Sequence, residues 1–573
     1  METLVFKEIV IFPELFLGIS IIYLVMHCTF LAIQKKYPLI QTSVLYLSVL
    51  TLFFSIFLVL NEHLNVLEMS CLNNTFVNDY AGFSSKLIIG SLSIFCLLMM
   101  QPYILSQKIN NFEYFLLILF SVLGLFLLCS SNDFLTAYLA LELQSLSFYV
   151  LAAFKKNSTF SVDAGIKYFI LGSFASSLFL FGSSLLYGIT GTICFDDFRL
   201  LFMNITPGIS NSIEYNFWDI LKIIKIEDLS ITSEICGCMN DSTWNFLNSL
   251  SCYKEEDVVD MLEFIRDMDE STNHLDVSLI DSTILYFDTN LIKFALVFIL
   301  IGLFFKLTLA PFHVWAPDVY EGSPTSSTFF FSVVPKLAIF VLLLRIFYYS
   351  FYGFVDSWRY FVVLIVIFSI IVGSFGGLEQ RKLKTLLVYS TISHMGYSLI
   401  SFSAGTFESL QMLLSYLIIY SFSGLCVWSI FLVTRLKNNY LQKQNKDLTD
   451  LVLLGKSNYM LAVFFTIVLF SIAGFPPMIG FLVKMGIFLT AMESSMYFVA
   501  LISILCSVVG TFYYIRLIKI VYFEKVLVGK LYYPIKFQSS VLIVCLFFLL
   551  LFLFVNPTLL FLISHKFSLL VFM

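Results

Sequence analysis

The sequence predicts an all-α polytopic membrane protein. Of its 573 residues, 59% are hydrophobic and only 12% are charged, against about 25% charged residues in an ordinary soluble domain. The mean hydropathy is +0.92. Apolar runs of about 17 to 25 residues, the length that a helix needs to cross a bilayer, recur about fourteen times. Together these observations predict about 14 transmembrane helices.

The predicted spans are joined by polar connections whose charge alternates. The spans centre near residues 22, 50, 95, 121, 143, 175, 302, 338, 367, 392, 420, 474, 510 and 550. Connections after odd-numbered spans carry Lys and Arg, such as Arg381 and Lys382 after the ninth, whereas those after even-numbered spans carry Asp and Glu. The positive-inside rule therefore predicts an N-terminus on the outer side of the membrane. No removable targeting peptide is predicted at the N-terminus.

The seventh span is interrupted by a charge and by a proline. Lys306 lies within its apolar run, where a cation costs roughly 2.5 to 3.5 kcal/mol. Pro311 has no N–H to donate to the carbonyl of Leu307, so the helix is predicted to break there, and broken membrane helices line polar cavities. His313 follows Lys306 by seven residues, about two turns, which predicts that both side chains share one helix face.

The twelfth span repeats this arrangement. Pro476 and Pro477 interrupt its apolar run, and Lys484 follows about two turns later. Interruptions at corresponding positions of two halves are typical of inverted-repeat transporters, whose sites lie at the repeat interface. The sequence therefore predicts two inverted repeats of five helices, spans four to eight and nine to thirteen, with helices 7 and 12 broken.

Four further ionisable residues lie within predicted spans. Glu142 lies near the middle of the fifth span without a basic residue on the next turn, so it needs a partner on another helix or a bound proton. Lys167 in the sixth span is the natural partner of Glu142, although it could also snorkel to the nearby surface. Lys336 in the eighth span is the other candidate partner, or a structural lysine. His394 in the tenth suits a proton relay, or packs as a hydrogen-bonded histidine.

These residues together predict a proton relay. Five charged and unpaired groups in a membrane would cost on the order of 12 to 17 kcal/mol, which purely structural helices would avoid. We expect movement of the Glu142 charge relative to Lys167 and Lys306 to change their proton affinity. Protons would then pass along water between Lys306, Lys336 and Lys484, with His313 and His394 as further members.

One long connection differs in composition from the rest of the chain. Between residues 196 and 288 there are 19 acidic and 5 basic residues, a net charge of −14, whereas the whole chain carries −5. Charge alternation predicts that this segment lies on the outer side, and the run from 254 to 270 reads as an amphipathic helix. Its cysteines and histidine, Cys236, Cys238, Cys252 and His274, do not have the spacing of a structural zinc site, so no metal is predicted.

Three strings identify a family. KLTLAPFHVWAPDVYEGSPTSSTFFFSVVPKLA from residue 306, LELQSLSFYVLAAF from 141 and RKLKTLLVYSTISHMGYSLI from 381 closely resemble the antiporter-like chain 2 subunits of NADH:ubiquinone oxidoreductase, respiratory complex I. The similarity runs from about Phe115 to about Lys484 and is interrupted by the acidic segment, where the family has a short connection. The family also has lysines at positions 167, 306 and 336.

The resemblance implies a function and a location. It implies a proton-translocating subunit of the mitochondrial inner membrane, whose partners are other membrane-arm subunits and the lipid bilayer. The Phe- and Ile-rich composition, with no predicted targeting peptide, favours an organelle-encoded protein. Accessory subunits are expected at the acidic insertion. The chain has no phosphate-binding glycine loop, no dinucleotide fingerprint and no cysteine run for iron–sulfur clusters. FMN, iron–sulfur clusters and ubiquinone are therefore expected in the parent complex, with no cofactor and no redox active site in this chain.

The predicted organisation has six segments: spans 1 to 3 (1–110), spans 4 to 6 (111–191), the lineage-specific acidic insertion (192–290), spans 7 and 8 (291–352), spans 9 to 13 (353–530) and span 14 (531–573). Three alternatives stay open at this point. The chain could be a subunit of a multi-subunit cation/proton antiporter without redox chemistry, a non-pumping spacer of the membrane arm, or a plastid-type relative. Retention of Glu142, Lys306, Lys336 and Lys484 argues against a spacer, which would be free to lose them.

Overall fold

A computed structural model describes the helical core of the chain. The described residues are 11–32, 37–62, 69–107, 111–202, 289–438, 441–444, 447–452, 454–524, 532 and 534–572. The predicted amphipathic helix at 254–270 and the four residues Cys236, Cys238, Cys252 and His274 lie outside these ranges. So does most of the acidic insertion.

The described part is almost entirely helical. Its α-helices are α1 (Phe12–Ala32), α2 (Tyr37–Glu62), α3 (Tyr80–Ser106), α4 (Glu113–Ser130), α5 (Phe134–Ala152), α6 (Thr159–Thr190), α7 (Phe195–Phe202), α8 (Thr289–Lys306), α9 (Trp315–Gly322), α10 (Thr325–Val333), α11 (Pro335–Leu344), α12 (Val355–Gly376), α13 (Leu383–Ala404), α14 (Phe407–Val433), α15 (Leu454–Ser457), α16 (Tyr459–Ala473), α17 (Ile479–Glu493), α18 (Tyr497–Tyr522), α19 (Phe537–Val555) and α20 (Thr558–Phe572). A π-helix (Arg345–Ser350) continues α11, and short 3₁₀ turns cover Tyr352–Phe354 and Leu448–Leu451. Two antiparallel hairpins pair β1 (Met69–Cys71) with β2 (Phe76–Asn78) and β3 (Arg435–Asn438) with β4 (Leu441–Gln444).

The helices confirm the predicted membrane class. Within the described residues, twelve segments are long and apolar enough to span a bilayer. Two further predicted spans complete the set: α13, which is more polar, and the interrupted pair α16 and α17, each of 15 residues. Every predicted span centre falls inside a helix, except 474, which falls at the break between α16 and α17. The protein is therefore a multi-pass helical membrane protein.

The buried centre is formed by the segment Thr325–Ser350 together with α13 and α14. Every residue in the most apolar window of Thr325–Ser350 is buried. Nearly all of α13 is also buried despite its many serines, because hydroxyls such as those of Ser390 and Ser398 donate to the carbonyls three residues earlier, at 2.7 Å. These hydroxyls are thus satisfied within the helix, which permits a buried position.

The same helix break occurs at corresponding places in two groups of five spans. In the first group, spans four to eight, the fourth member is interrupted between α8 and α9. In the second group, spans nine to thirteen, the fourth member is interrupted between α16 and α17. An odd number of spans in each group gives the two groups opposite directions across the membrane. This arrangement is the predicted one.

Two segments differ from the predicted boundaries. The C-terminal region contains two helices rather than one, because Pro557 cannot continue α19 and the chain begins a new helix at Thr558. The first residues of the predicted insertion form α7, whose Phe198 and Phe202 pack on Phe351. Residues 195–202 of the predicted insertion therefore pack with the helical core.

Candidate functional site

The first helix break ends α8 at Lys306. Leu309 N donates to Phe304 O at 3.1 Å, and the indole nitrogen of Trp315 donates to Phe305 O at 3.2 Å, so these terminal carbonyls are satisfied without a continuing helix. Residues 307–314 form turns. The prediction that Lys306 and His313 share a helix face is therefore wrong, because the helix has ended before His313.

Glu142, Tyr149 and Lys306 form a first polar cluster. The ammonium nitrogen of Lys306 lies 5.8 Å from the ring centre of Tyr149 on α5. Glu142, seven residues earlier on α5, interacts electrostatically with Lys306, and Ser145 Oγ donates to one of its carboxylate oxygens at 3.2 Å. The other oxygen of Glu142 and the Lys306 nitrogen are buried without a hydrogen-bond partner among the described residues. The Lys306 ammonium therefore has no fixed hydrogen-bond partner in the described part of the chain.

Lys336, Tyr420 and His394 form a second cluster. Lys336 Nζ donates to the Tyr420 hydroxyl at 2.9 Å and lies 4.7 Å from the centre of its ring. The ring of Tyr420 lies 5.3 Å from that of His394. Both nitrogens of His394 meet hydroxyls, Nδ1 with Tyr416 at 2.5 Å and Nε2 with Tyr514 at 3.1 Å. Aromatic hydroxyls thus connect helices α11, α13, α14 and α18.

Lys484 caps the end of the second interrupted helix. Its ammonium donates to the carbonyls of Ile472 and Ala473, at 2.8 and 2.9 Å. These carbonyls terminate α16, where the helix dipole favours a cation. Gly474 ends that helix with a φ of +86°, and a Cβ at this position would lie 2.8 Å from the Lys484 side chain. Glycine is therefore needed for both the turn and the close approach of the lysine.

A small cavity links the second cluster to Lys484. It has a volume of about 10 Å³, about the size of one water molecule. His394, Tyr420 and Lys484 line it, together with Ser471, whose buried hydroxyl has no partner in the described part of the chain. The charges of Lys336 and Lys484 both act on His394. One water in this cavity would connect His394, Tyr420 and Lys484.

Two candidate residues, Lys167 and His313, lie apart from these clusters and from Lys484. Lys167 forms an ion pair with Asp318 at 2.5 Å, with more than half of each side chain exposed. The structure thus gives Lys167 a partner on α9 rather than the expected Glu142, because Lys167 lies on the outward face of α6. His313 is half-buried in the connection between α8 and α9, and its Nδ1 has no partner among the described residues.

Sequence analysis missed the tyrosines and one ion pair. Tyr416, Tyr420 and Tyr514 lie in apolar runs where tyrosine is an ordinary packing residue, so only the spatial contact with His394 reveals them. Lys86 on α3 pairs with Glu14 on α1 at 2.5 Å, and both side chains are almost fully buried. The presence of a lysine within the apolar third span was the sequence feature that could have indicated this ion pair.

The sequence matches the model of a known protein family. The family model for the transmembrane region of the NADH:quinone oxidoreductase/Mrp antiporter proteins matches residues 131–224 and 264–510. The chain belongs to this family. The matched ranges contain all seven predicted relay residues.

Full-length relatives place the chain within the family. It is 34% identical to the NADH-ubiquinone oxidoreductase chain 2 of Marchantia polymorpha over 98% of both chains. It is 33% identical to that of Arabidopsis thaliana, over 98% of this chain and 96% of the relative. It is also 34% identical to the NADH-quinone oxidoreductase subunit N of Paramagnetospirillum magneticum, over 90% of this chain and 88% of the relative. The predicted resemblance to the chain 2 subunits is confirmed.

Solved structures share the fold. A chain of respiratory complex I from Thermus thermophilus superposes with a TM-score of 0.67 at 22% identity, covering 96% of this chain and 98% of that one. A chain of the Mrp complex from Dietzia superposes with a TM-score of 0.70 at 14% identity, covering 98% and 97%. Both neighbours are parts of multi-subunit membrane complexes.

Proposed function

We propose that this chain is a proton-translocating membrane-arm subunit of a mitochondrial NADH:ubiquinone oxidoreductase. Full-length similarity to chain 2 and subunit N proteins supports the parent complex. Redox chemistry belongs to other subunits, which hold FMN and iron–sulfur clusters and reduce ubiquinone, and this chain contributes no redox site. The energy released there moves protons through this chain.

The observation that carries the proposal is a buried polar line across the boundary between the two groups of spans. Lys336 belongs to the first group, whereas Tyr420, His394 and Lys484 belong to the second. The hydroxyl of Tyr420 accepts a hydrogen bond from Lys336, its ring lies 5.3 Å from that of His394 at an angle of 40°, and a water-sized cavity lies between His394 and Lys484. A proton can pass between Lys336 and the Tyr420 hydroxyl by their hydrogen bond, and one water in the cavity would link Tyr420, His394 and Lys484.

The first cluster is proposed to control this line. A carboxylate stabilises a nearby ammonium, so displacement of the Glu142 charge would weaken the hold of Lys306 on its proton. The released proton would cross to Lys336 along water, because Lys306 has no hydrogen bond to that cluster. Moving one proton against 100 mV requires about 2.3 kcal/mol. Redox subunits must supply this energy. Lys167 and His313 are proposed to deliver protons to the first cluster from the surface.

The test compares two lysines of the same helix. Lys306→Ala should leave the parent complex assembled but reduce both NADH:quinone turnover and proton pumping in reconstituted membranes. Lys293, thirteen residues earlier on α8, is exposed, so Lys293→Ala should change neither. Unchanged turnover and unchanged protons per electron in Lys306→Ala would identify the chain as a spacer. Sodium-driven or potassium-driven proton exchange without NADH would identify a cation antiporter.

Orientation and partners form a second part of the proposal. We propose that the N-terminus and the acidic insertion face the intermembrane space, that accessory subunits contact residues 192–290, and that the chain is organelle-encoded. A tag at the N-terminus should then be accessible to protease in mitochondria whose outer membrane has been opened. Protection of that tag while a matrix-side tag at the 381–384 connection is cleaved would reverse the orientation.

A further inference from the structure

A cavity of about 350 Å³ opens among helices that contain none of the proposed relay residues. It lies between the beginning of α2, the end of α3 and the beginning of α19. These three helix ends belong to one membrane face, which the charge pattern predicts to be the matrix face. Its size falls within the range of ligand cavities, about 300 to 1,000 Å³.

The wall of the cavity changes from polar to apolar. Lys536, Gln538 and Gln101 line it near the helix ends, with the hydroxyl of Tyr46 3.5 Å from the Gln101 amide nitrogen. Leu542 lies on its apolar side, one to two turns further into the membrane. A ligand that fits this wall has a polar, negatively charged head and an apolar body.

The charge of Lys536 has no ion-pair partner within the described part of the chain. Its side chain is exposed, and none of the four ion pairs within the described ranges involves it. A lysine at the membrane surface attracts anionic lipid headgroups, an attraction of about 1 kcal/mol for each basic residue. Basic pockets between transmembrane helices on this side of a membrane commonly hold such headgroups.

A backbone feature indicates a hydroxyl on the ligand. Pro102 lies inside α3 and has no N–H to donate to the carbonyl of Leu98, and both residues line the cavity. A carbonyl at membrane depth requires a donor. A glycerol hydroxyl on the headgroup would supply one, whereas a choline headgroup has none to offer.

We propose that this cavity binds an anionic glycerophospholipid with a hydroxyl-bearing headgroup, of the phosphatidylglycerol type. The phosphate lies against Lys536 and the glutamine amides, and the headgroup hydroxyl donates to Leu98 O. The acyl chains leave the cavity past Leu542 and follow the exposed apolar surface of α19, where Phe548 and Phe552 are exposed. This proposal does not depend on the proton relay.

The test uses the purified parent complex in lipid nanodiscs that contain equal amounts of phosphatidylglycerol and phosphatidylcholine. In one preparation the phosphatidylglycerol carries a photoactivatable acyl chain, and in the other the phosphatidylcholine carries it. Crosslinks are mapped by peptide mass spectrometry. Crosslinking of phosphatidylglycerol to residues 542–552 of α19, which the acyl chains contact, should exceed that of phosphatidylcholine about fivefold, the ratio that corresponds to about 1 kcal/mol.

Three variants separate the contributions. Lys536→Glu should remove the preference, whereas Lys519→Glu, at an exposed lysine near the end of α18, should keep it. Leu542→Trp should fill the cavity and reduce crosslinking of both lipids. Equal labelling by the two lipids in the parent complex would overturn the proposal without any variant. Lipid labelling of a neighbouring subunit without labelling of α19, or equal loss in Lys519→Glu, would also overturn it.

Discussion

The buried ion pair between Glu14 and Lys86 gives the sharpest stability prediction. Lys86 Nζ lies 2.5 Å from Glu14 Oε1, and the side chains are 0% and 2% exposed. Ser130 Oγ donates to the same carboxylate oxygen at 3.3 Å. The pair joins α1 to α3, and Ser130 adds α4. Lys86→Met preserves the length of the side chain, removes its charge, and leaves a buried carboxylate with only a serine donor.

The expected cost follows from two limits. Removal of one partner from a buried ion pair costs about 3 to 5 kcal/mol. The remaining carboxylate can instead take up a proton, which for an ordinary glutamate costs about 3.7 kcal/mol at pH 7 and about 1 kcal/mol at pH 5. The free energy of this proton uptake is therefore the upper limit of the loss in stability. Lys86→Met should therefore lower the free energy of unfolding by about 3 to 4 kcal/mol at pH 7 and by about 1 kcal/mol at pH 5.

The assay is heat-induced loss of this chain from the purified parent complex, measured at both pH values. Glu14→Leu combined with Lys86→Met removes both charges, and replacement of a buried pair by apolar groups is often neutral. The double variant should therefore recover most of the stability at pH 7. Lys382→Met is the control, because its ion pair with Glu321 is about half exposed and should contribute less than about 1 kcal/mol.

Three results would refute this reasoning. Lys86→Met could be no less stable than Lys382→Met at pH 7, which would mean that the pair is solvated in the assembled protein. The loss could be the same at pH 5 and pH 7, which would exclude an unpaired carboxylate as its cause. The double variant could be as unstable as the single variant, in which case packing rather than charge explains the loss.

Two further predictions concern the polar clusters. Tyr420→Phe keeps the ring beside Lys336 but removes a hydrogen bond to a charged group, worth about 1.5 to 3 kcal/mol, so pumping and coupled turnover should fall at least about tenfold in an assembled complex. Gly172→Ala on α6 places a Cβ 2.2 Å from the Tyr149 hydroxyl and should displace that ring from Lys306, lowering pumping. Gly188→Ala on the same helix meets nothing within 4 Å and should retain parental pumping; equal loss in both variants would contradict the proposed role of Tyr149.

Sequence alone predicted the spans and both helix breaks, because hydrophobic length and proline act locally. A run of about 20 apolar residues must form a helix in a bilayer, and Pro311 or Pro476 must interrupt it wherever the fold places it. The relative position of Lys306 and His313 could not be predicted in the same way. That inference assumed a continuous helix through Pro311, which the break itself removes.

Contacts between helices were beyond the reach of sequence patterns. The pairing of Lys86 with Glu14 joins residues 72 positions apart, and the contact of Tyr514 with His394 joins residues 120 positions apart. Neither periodicity nor charge spacing links such positions. Lys167 illustrates the same limit, since its expected partner Glu142 and its observed partner Asp318 are both acidic and both distant along the chain.

The two helix breaks look equivalent in sequence, yet they hold their lysines differently. Lys484 donates to two carbonyls at the end of α16, so its charge is fixed by the helix dipole and by hydrogen bonds. Lys306 ends α8 itself, and neighbouring backbone and indole donors already satisfy the carbonyls of Phe304 and Phe305. Among the described residues, Glu142 is the one compensating charge that acts on its ammonium. We expect Lys306 to respond to movement of that carboxylate, and Lys484 to remain in place as the proton acceptor at the far end of the line.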